Sequence, residues 1–170
     1  MAMIYRPEQP SDIDAIQAVN QAAFPTEAEA RLVDALRDSG RLIISLVAEE
    51  TGKIVGHIGF SPVTLSTAPD NTSGIGLAPL AVLPDRQRRG IGSQLVKAGL
   101  EACKQAGFTY VIVLGDPGYY GQFGFSRASS YGLGNEYGVD DEFMVLALQP
   151  GRIPVAQGTI RYAPEFALVE

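Results

Sequence analysis

The sequence predicts a single α/β domain built on a mixed β-sheet, and three observations predict it. Apolar residues recur at helical spacing in three stretches, and β-rich runs bounded by Gly, Pro and Asp fill the intervals. One run, Tyr110-Val111-Ile112-Val113-Leu114, is wholly apolar, as expected of a strand covered on both faces. The chain's 170 residues are enough to bury a core, and its 46% hydrophobic and 19% charged residues are an ordinary globular mix.

Met3 to Arg6 reads as a short strand stopped by Pro7. Ser11 or Asp12 then caps a helix whose buried stripe is Ile13, Ile16, Val19, Ala23 and Phe24, broken by Pro25. A second helix starts near Glu27, shows Ala28, Leu32, Ala35 and Leu36 on one face, and closes at Gly40. Leu42 to Glu49, the Thr51-Gly52 turn and Lys53 to Leu65 predict an antiparallel hairpin. Ala68 to Ser73 is a polar connection, Ile75 to Leu83 a strand cut by Pro84, and Gly90 to Ala106 an amphipathic helix ended by Gly107. After the apolar strand comes a Gly115-Asp116-Pro117-Gly118 turn, one helical turn from Tyr119 to Phe123, and strands opening at Phe125 and spanning Glu142 to Leu148. Gly158 to Tyr162 is expected to pair at a sheet edge. The order β-α-α-β-β-β-α-β-α-β-β places one domain at residues 1–150, with residues 151–170 as an extension packed on it.

Composition narrows the function classes. Thirteen Lys and Arg against nineteen Asp and Glu leave a net charge of −6, which repels a nucleic-acid backbone. One cysteine, Cys103, excludes an internal disulfide, and with the single His57 it leaves no thiolate- or histidine-rich metal site. No stretch has the roughly 18 uninterrupted apolar residues of a membrane span, and Arg6 and Glu8 rule out a signal-peptide start. A cytoplasmic protein is expected, with no nucleic-acid or membrane partner; a homodimer would follow only from general frequency.

The most informative segment runs from Leu80 to Ser93. A strand ends, Arg86, Arg88 and Arg89 follow, and a helix opens on Gly90 and Gly92. A helix N-terminus exposes amides and about half a positive charge, and glycine lets an anion approach the backbone, so the segment suits a phosphate. Taken alone, Gly-x-Gly is more often a tight turn, and arginines are often a solvated face. A dinucleotide fingerprint needs a third glycine, where Leu95 stands. The second segment is Tyr119-Tyr120-Gly121-Gln122-Phe123-Gly124-Phe125. Acyl transfer from a thioester expels a thiolate, and a tyrosine, protonated near neutrality, can donate to the departing sulfur. Taken alone, such tyrosines are more often packing.

Gln87-Arg88-Arg89-Gly90-Ile91-Gly92 resembles the Gln/Arg-x-x-Gly-x-Gly/Ala motif of the GNAT superfamily of N-acetyltransferases, and the tyrosine segment resembles its Tyr-x-x-x-Gly-Phe motif. The resemblance covers about Met3 to Leu148, is nearest a bacterial subgroup with an Asp-Pro turn before paired tyrosines, and implies a GNAT-like fold with a splayed central sheet flanked by helices. It implies acetyl-CoA as co-substrate, no metal, and acetyl transfer in a ternary complex to a small-molecule or peptide amine. By the same resemblance Leu80, Ala81 and Val82 line the pantetheine, Gln87, Arg88, Arg89, Gly90, Ile91, Gly92 and Ser93 cradle the pyrophosphate, and Tyr120 is catalytic. Tyr119 is left to packing and Cys103 to the core.

The chain departs from the family pattern twice. No asparagine precedes Tyr120, and the strand Gly76-Leu77-Ala78-Pro79-Leu80 lacks the carboxylate that often serves as base. Pro79 there suggests a strand break. Glu27, Glu29, Asp116 and His57 are the candidates to replace it as base, each with a plain structural reading: helix N-terminal charge for the glutamates, a turn for Asp116, a strand position for His57. The missing carboxylate also admits a catalytically weak acyl-CoA sensor.

Overall fold

The structure is a computed structural model that describes residues 2–69, 73–154 and 157–169. The expected polar connection therefore falls partly on residues 70–72, outside the described residues. Among the described residues, ten strands and four α-helices follow in the order β1 (Met3–Pro7), α1 (Ile13–Ala23), α2 (Ala28–Asp38), β2 (Ile44–Glu50), β3 (Lys53–Pro62), β4 (Thr64–Leu65), β5 (Gly74–Val82), α3 (Ile91–Gln105), β6 (Tyr110–Leu114), α4 (Pro117–Gly121), β7 (Ser126–Arg127), β8 (Leu133–Asn135), β9 (Phe143–Ala147) and β10 (Gly158–Arg161). Seven strands make a mixed sheet in the order β1-β2-β3-β5-β6-β9-β7, and β4-β10-β8 make a second sheet. No described helix is long and apolar enough to cross a membrane.

Two compact units divide the chain. The first holds Met1–Ser61, Ala78–Glu101 and Pro164–Glu170; the second holds Pro62–Leu77 and Ala102–Ala163. In the first, the Thr51-Gly52 turn places both residues at positive φ (49° and 81°), the mirror-image turn that a tight hairpin demands, and β2 and β3 pair antiparallel across it. The buried stripe of α1 supplies Ile16 and Val19 to a core shared with Val33, Val47, Ile54 and Ala81. On α3, Gly99 replaces a side chain with the Phe60 ring, since a Cβ there would lie 2.5 Å from Cε1. In the second unit, β5 and β6 run parallel from Gly74↔Tyr110 to Leu77↔Val113, and β9 pairs antiparallel along the whole of β6.

Five expectations need correction. Lys53 to Leu65 is not one strand: it divides at Val63, and Thr64–Leu65 joins the smaller sheet. Gly158–Arg161 is the centre of that sheet, not an edge, because it pairs with both β4 and the unforeseen three-residue β8. Three residues are too few for periodicity to show. Asp12 stands at the start of α1 but does not cap it; its carboxylate accepts from Arg6 (2.7 Å) and from the Gln9 N–H (2.7 Å). Pro79 does not break β5, which continues to Val82 beyond its last β6 partner. The apolar strand is buried on both faces only through Val113, and Leu114 is exposed.

Candidate active site

In the first unit, β5 ends at Val82, and the Leu83 N–H bonds the Val55 carbonyl (2.9 Å), tying the strand end to β3. Strand alternation then separates the three residues expected along the cofactor arm. Ala81 turns its side chain into the core and is 1% exposed, whereas Leu80 and Val82 are half-buried. Pro84–Arg86 forms a 3-10 turn, and the chain enters α3 through Arg88 (φ 64°) and Gly90 (φ 81°). This left-handed geometry is costly for a residue with a Cβ and natural for glycine. A Cβ on Gly90 would meet nothing within 4 Å, so the space before α3 is open.

The first helical hydrogen bond of α3 runs from Gln94 N to Gly90 O (3.0 Å), so the preceding turn carries the helix's N-terminal amides and its positive dipole end. The three arginines do not act alike. Arg86 is bound to Glu50 (2.8 Å) and Asp85 (2.9 Å), which neutralise it and pin the loop to the β2–β3 turn. Arg88 and Arg89 are exposed, with no ion pair among the described residues. Gln87 folds its side-chain amide back onto the Val82 carbonyl (3.0 Å) and so braces the loop. Open space, helix amides and two uncommitted arginines together fit a diphosphate.

The second unit holds Tyr120 on α4, a single turn that begins two residues earlier than expected. Asp116 caps it: Oδ1 accepts from Gly118 N (3.1 Å), and the Asp116 carbonyl accepts from Tyr120 N (2.9 Å). Tyr120 is 9% exposed, with Tyr119 edge-on at 5.0 Å and Phe125 at 5.8 Å between ring centroids. Burial, with a smaller contribution from Tyr119, pushes its hydroxyl up to about 12, so it stays protonated across the neutral range.

The four replacement bases separate. Asp116 is committed to its cap, and Glu27 pairs with Arg31 on the surface (3.0 Å). His57 is fully buried and pushed down to about 4 by desolvation. Glu29 keeps a buried Oε1 with no hydrogen-bond partner among the described residues. Cys103 is buried, its thiol pushed up to about 12, so it is a core residue and no nucleophile at neutral pH. Among the described residues no group of three metal-ligating side chains occurs. Sequence reasoning missed Gly115, whose lack of a side chain admits the Tyr120 ring; a lone glycine ahead of an Asp-Pro turn carries no signal of that contact.

The family model for an acetyltransferase (GNAT) domain matches residues 4–128. The uncharacterized N-acetyltransferase YhbS of Escherichia coli K12 is 34% identical over 166 residues, spanning 96% of this chain and 98% of its own. The crystal structure of YhbS in complex with CoA superposes with a TM-score of 0.91 at 33% identity, over 97% of this chain and 92% of that one. A GNAT-family acetyltransferase from Brucella melitensis, solved with acetyl-CoA, is 39% identical with a TM-score of 0.81, over 97% and 98% of the two chains.

Proposed function

The chain belongs to the GNAT acetyltransferase family, and from that premise we propose that it moves an acetyl group from acetyl-CoA to a primary amine by direct attack in a ternary complex. It is an acyl-CoA-dependent N-acetyltransferase with acetyl-CoA as co-substrate. The observation that carries the reading is the open space before α3, where a Cβ on Gly90 meets nothing within 4 Å, beside the helix N-terminal amides and Arg88 and Arg89. There the backbone of residues 90–93 and the two arginines hold the diphosphate, and Leu80–Val82, which lies beyond the last β5–β6 pair at Leu77, pairs its backbone with the pantetheine arm as an added strand would. Residues 1–150 form the acyl-CoA-binding domain in this reading, with the tail packed on it.

The co-substrate supplies an activated acyl thioester. Tyr120 serves the sulfur that leaves it. A phenol near 12 loses little of its proton to a thiolate whose conjugate thiol titrates near 8.5, so Tyr120 acts chiefly as a fixed hydrogen-bond donor to the developing negative charge. The C–N bond forms as the C–S bond breaks, and the proton shed by the amine balances the one the thiol gains. The acceptor is a small-molecule or peptide amine, and the net charge of −6 favours a cationic one.

Acetyl-CoA turnover across amino acids, polyamines, aminoglycosides and peptide N-termini tests the reading. We expect one class to be turned over, and Tyr120→Phe to lower its kcat about a hundredfold with acetyl-CoA affinity kept. Wild-type turnover in that variant removes Tyr120 from the reaction. Tight acetyl-CoA binding with no amine consumed favours the sensor that the carboxylate-free strand β5 suggests.

A further inference from the structure

Gly115 follows the last residue of β6 and carries no motif, yet its surroundings are specific. A Cβ built on it would lie 2.9 Å from Cδ2 of Tyr120 and closer still to Cε2, a separation that no real side chain tolerates. The ring therefore rests on the bare backbone of residue 115, with Tyr119 and Phe125 set edge-on to it. Neither partner can give way easily. Gly115 N bonds the Glu142 carbonyl (2.9 Å), which carries the β6–β9 ladder one residue past Leu114. Tyr120 N is bonded to the Asp116 carbonyl (2.9 Å), and the Asp116 carboxylate caps the same short turn.

We propose that Gly115 is a positioning residue for acetyl transfer: its missing side chain is the seat that sets where the Tyr120 hydroxyl points. The proposal rests on the reading of Tyr120 as the donor to the leaving sulfur. A hydrogen bond to a developing thiolate weakens steeply with misalignment, and a displaced ring costs turnover while leaving the diphosphate end of the cofactor untouched.

The test is a double-mutant cycle with acetyl-CoA and the amine that the panel above shows to be turned over fastest. Gly115→Ala is expected to lower kcat at least tenfold while the calorimetric Kd for acetyl-CoA stays within about threefold. In a Tyr120→Phe background the same substitution is expected to change kcat less than twofold. Retained kcat in Gly115→Ala, with Tyr120→Phe impaired, overturns the positioning role and spares the donor reading. An undiminished loss in the Tyr120→Phe background also overturns it, because Gly115 would then act without the hydroxyl. If Tyr120→Phe is fully active, both claims fall together. Thermal melts cover the case in which Gly115→Ala folds poorly: pairing it with Tyr120→Leu, which removes the ring, is expected to restore the Tm of Tyr120→Leu alone. No recovery in that pair overturns the seat.

Discussion

His57 shows how one buried side chain can make folding sensitive to pH. It is fully buried, with Nδ1 3.3 Å from the Asn20 amide nitrogen and Nε2 2.8 Å from Ser45 Oγ. Asn20 Nδ2 donates, so Nδ1 must accept and Nε2 must carry the proton; Ser45 then donates to Glu8, which Arg37 clamps through two bonds of 3.0 Å. Burial works to raise the Glu8 carboxyl, but the Arg37 and Ser45 hydrogen bonds outweigh it and hold the group below its ordinary value. Every donor in the chain thus points toward the Glu8 carboxylate, which suits a neutral imidazole. With His57 near 4 in the folded protein and 6.5 unfolded, the unfolded chain binds more protons between those values. Stability contributed by the neutral ring is present above 6.5 and is lost as the pH falls toward 4. We predict a loss of about 2 kcal/mol in urea-unfolding stability between pH 7 and pH 5, ahead of carboxylate titration. The slope in that interval should shrink in His57→Gln; an unchanged slope would assign it to other groups.

At the scale of elements, the proposed diphosphate site rests on the loop entering α3. Gly90 is needed for two separate reasons, a φ of 81° and the open space in front of it. Gly90→Val strains the left-handed backbone and puts a branched side chain into the open space before α3. We predict that the Kd for CoA rises at least tenfold by calorimetry, because the fixed amides lose their approach to the anion. Gly90→Asn, tolerant of this conformation, separates strain from blockage: it should melt nearer the wild type and still bind weakly. Unchanged CoA affinity in both variants would move the diphosphate elsewhere. The element boundaries here were legible because Pro84 and the two glycines punctuate the chain. The role of Arg86 was not, because its partner Glu50 lies 36 residues away on the β2–β3 hairpin.

For the whole molecule, the expected signature is selective stabilisation by one cofactor class. Acetyl-CoA and CoA should raise the Tm as ligands of the folded state, by the equivalent of about 2.7 kcal/mol at a hundred times Kd, while NAD and ATP leave it unchanged. A shift with ATP or NAD alone would contradict the assignment of the loop. The tail also belongs at this scale. It supplies β10 to the centre of the smaller sheet in one unit, while Glu165 pairs with Arg41 in the other. Local patterning could not reveal this, since both partners of β10 are two- or three-residue strands.

Periodicity and turn residues, which are properties of neighbouring residues, made the helices and the main strands legible in the sequence, whereas the glycine loop and Tyr120 stood out only because both segments together resemble one family's motifs. Tertiary structure decided which of those residues remain available. It bound Arg86 to Glu50, turned Ala81 into the core, neutralised His57 by burial and placed Tyr120 on Gly115. The physical reason is that desolvation, ion pairing and close packing depend on atoms brought together across long stretches of chain, and no window of adjacent residues contains them.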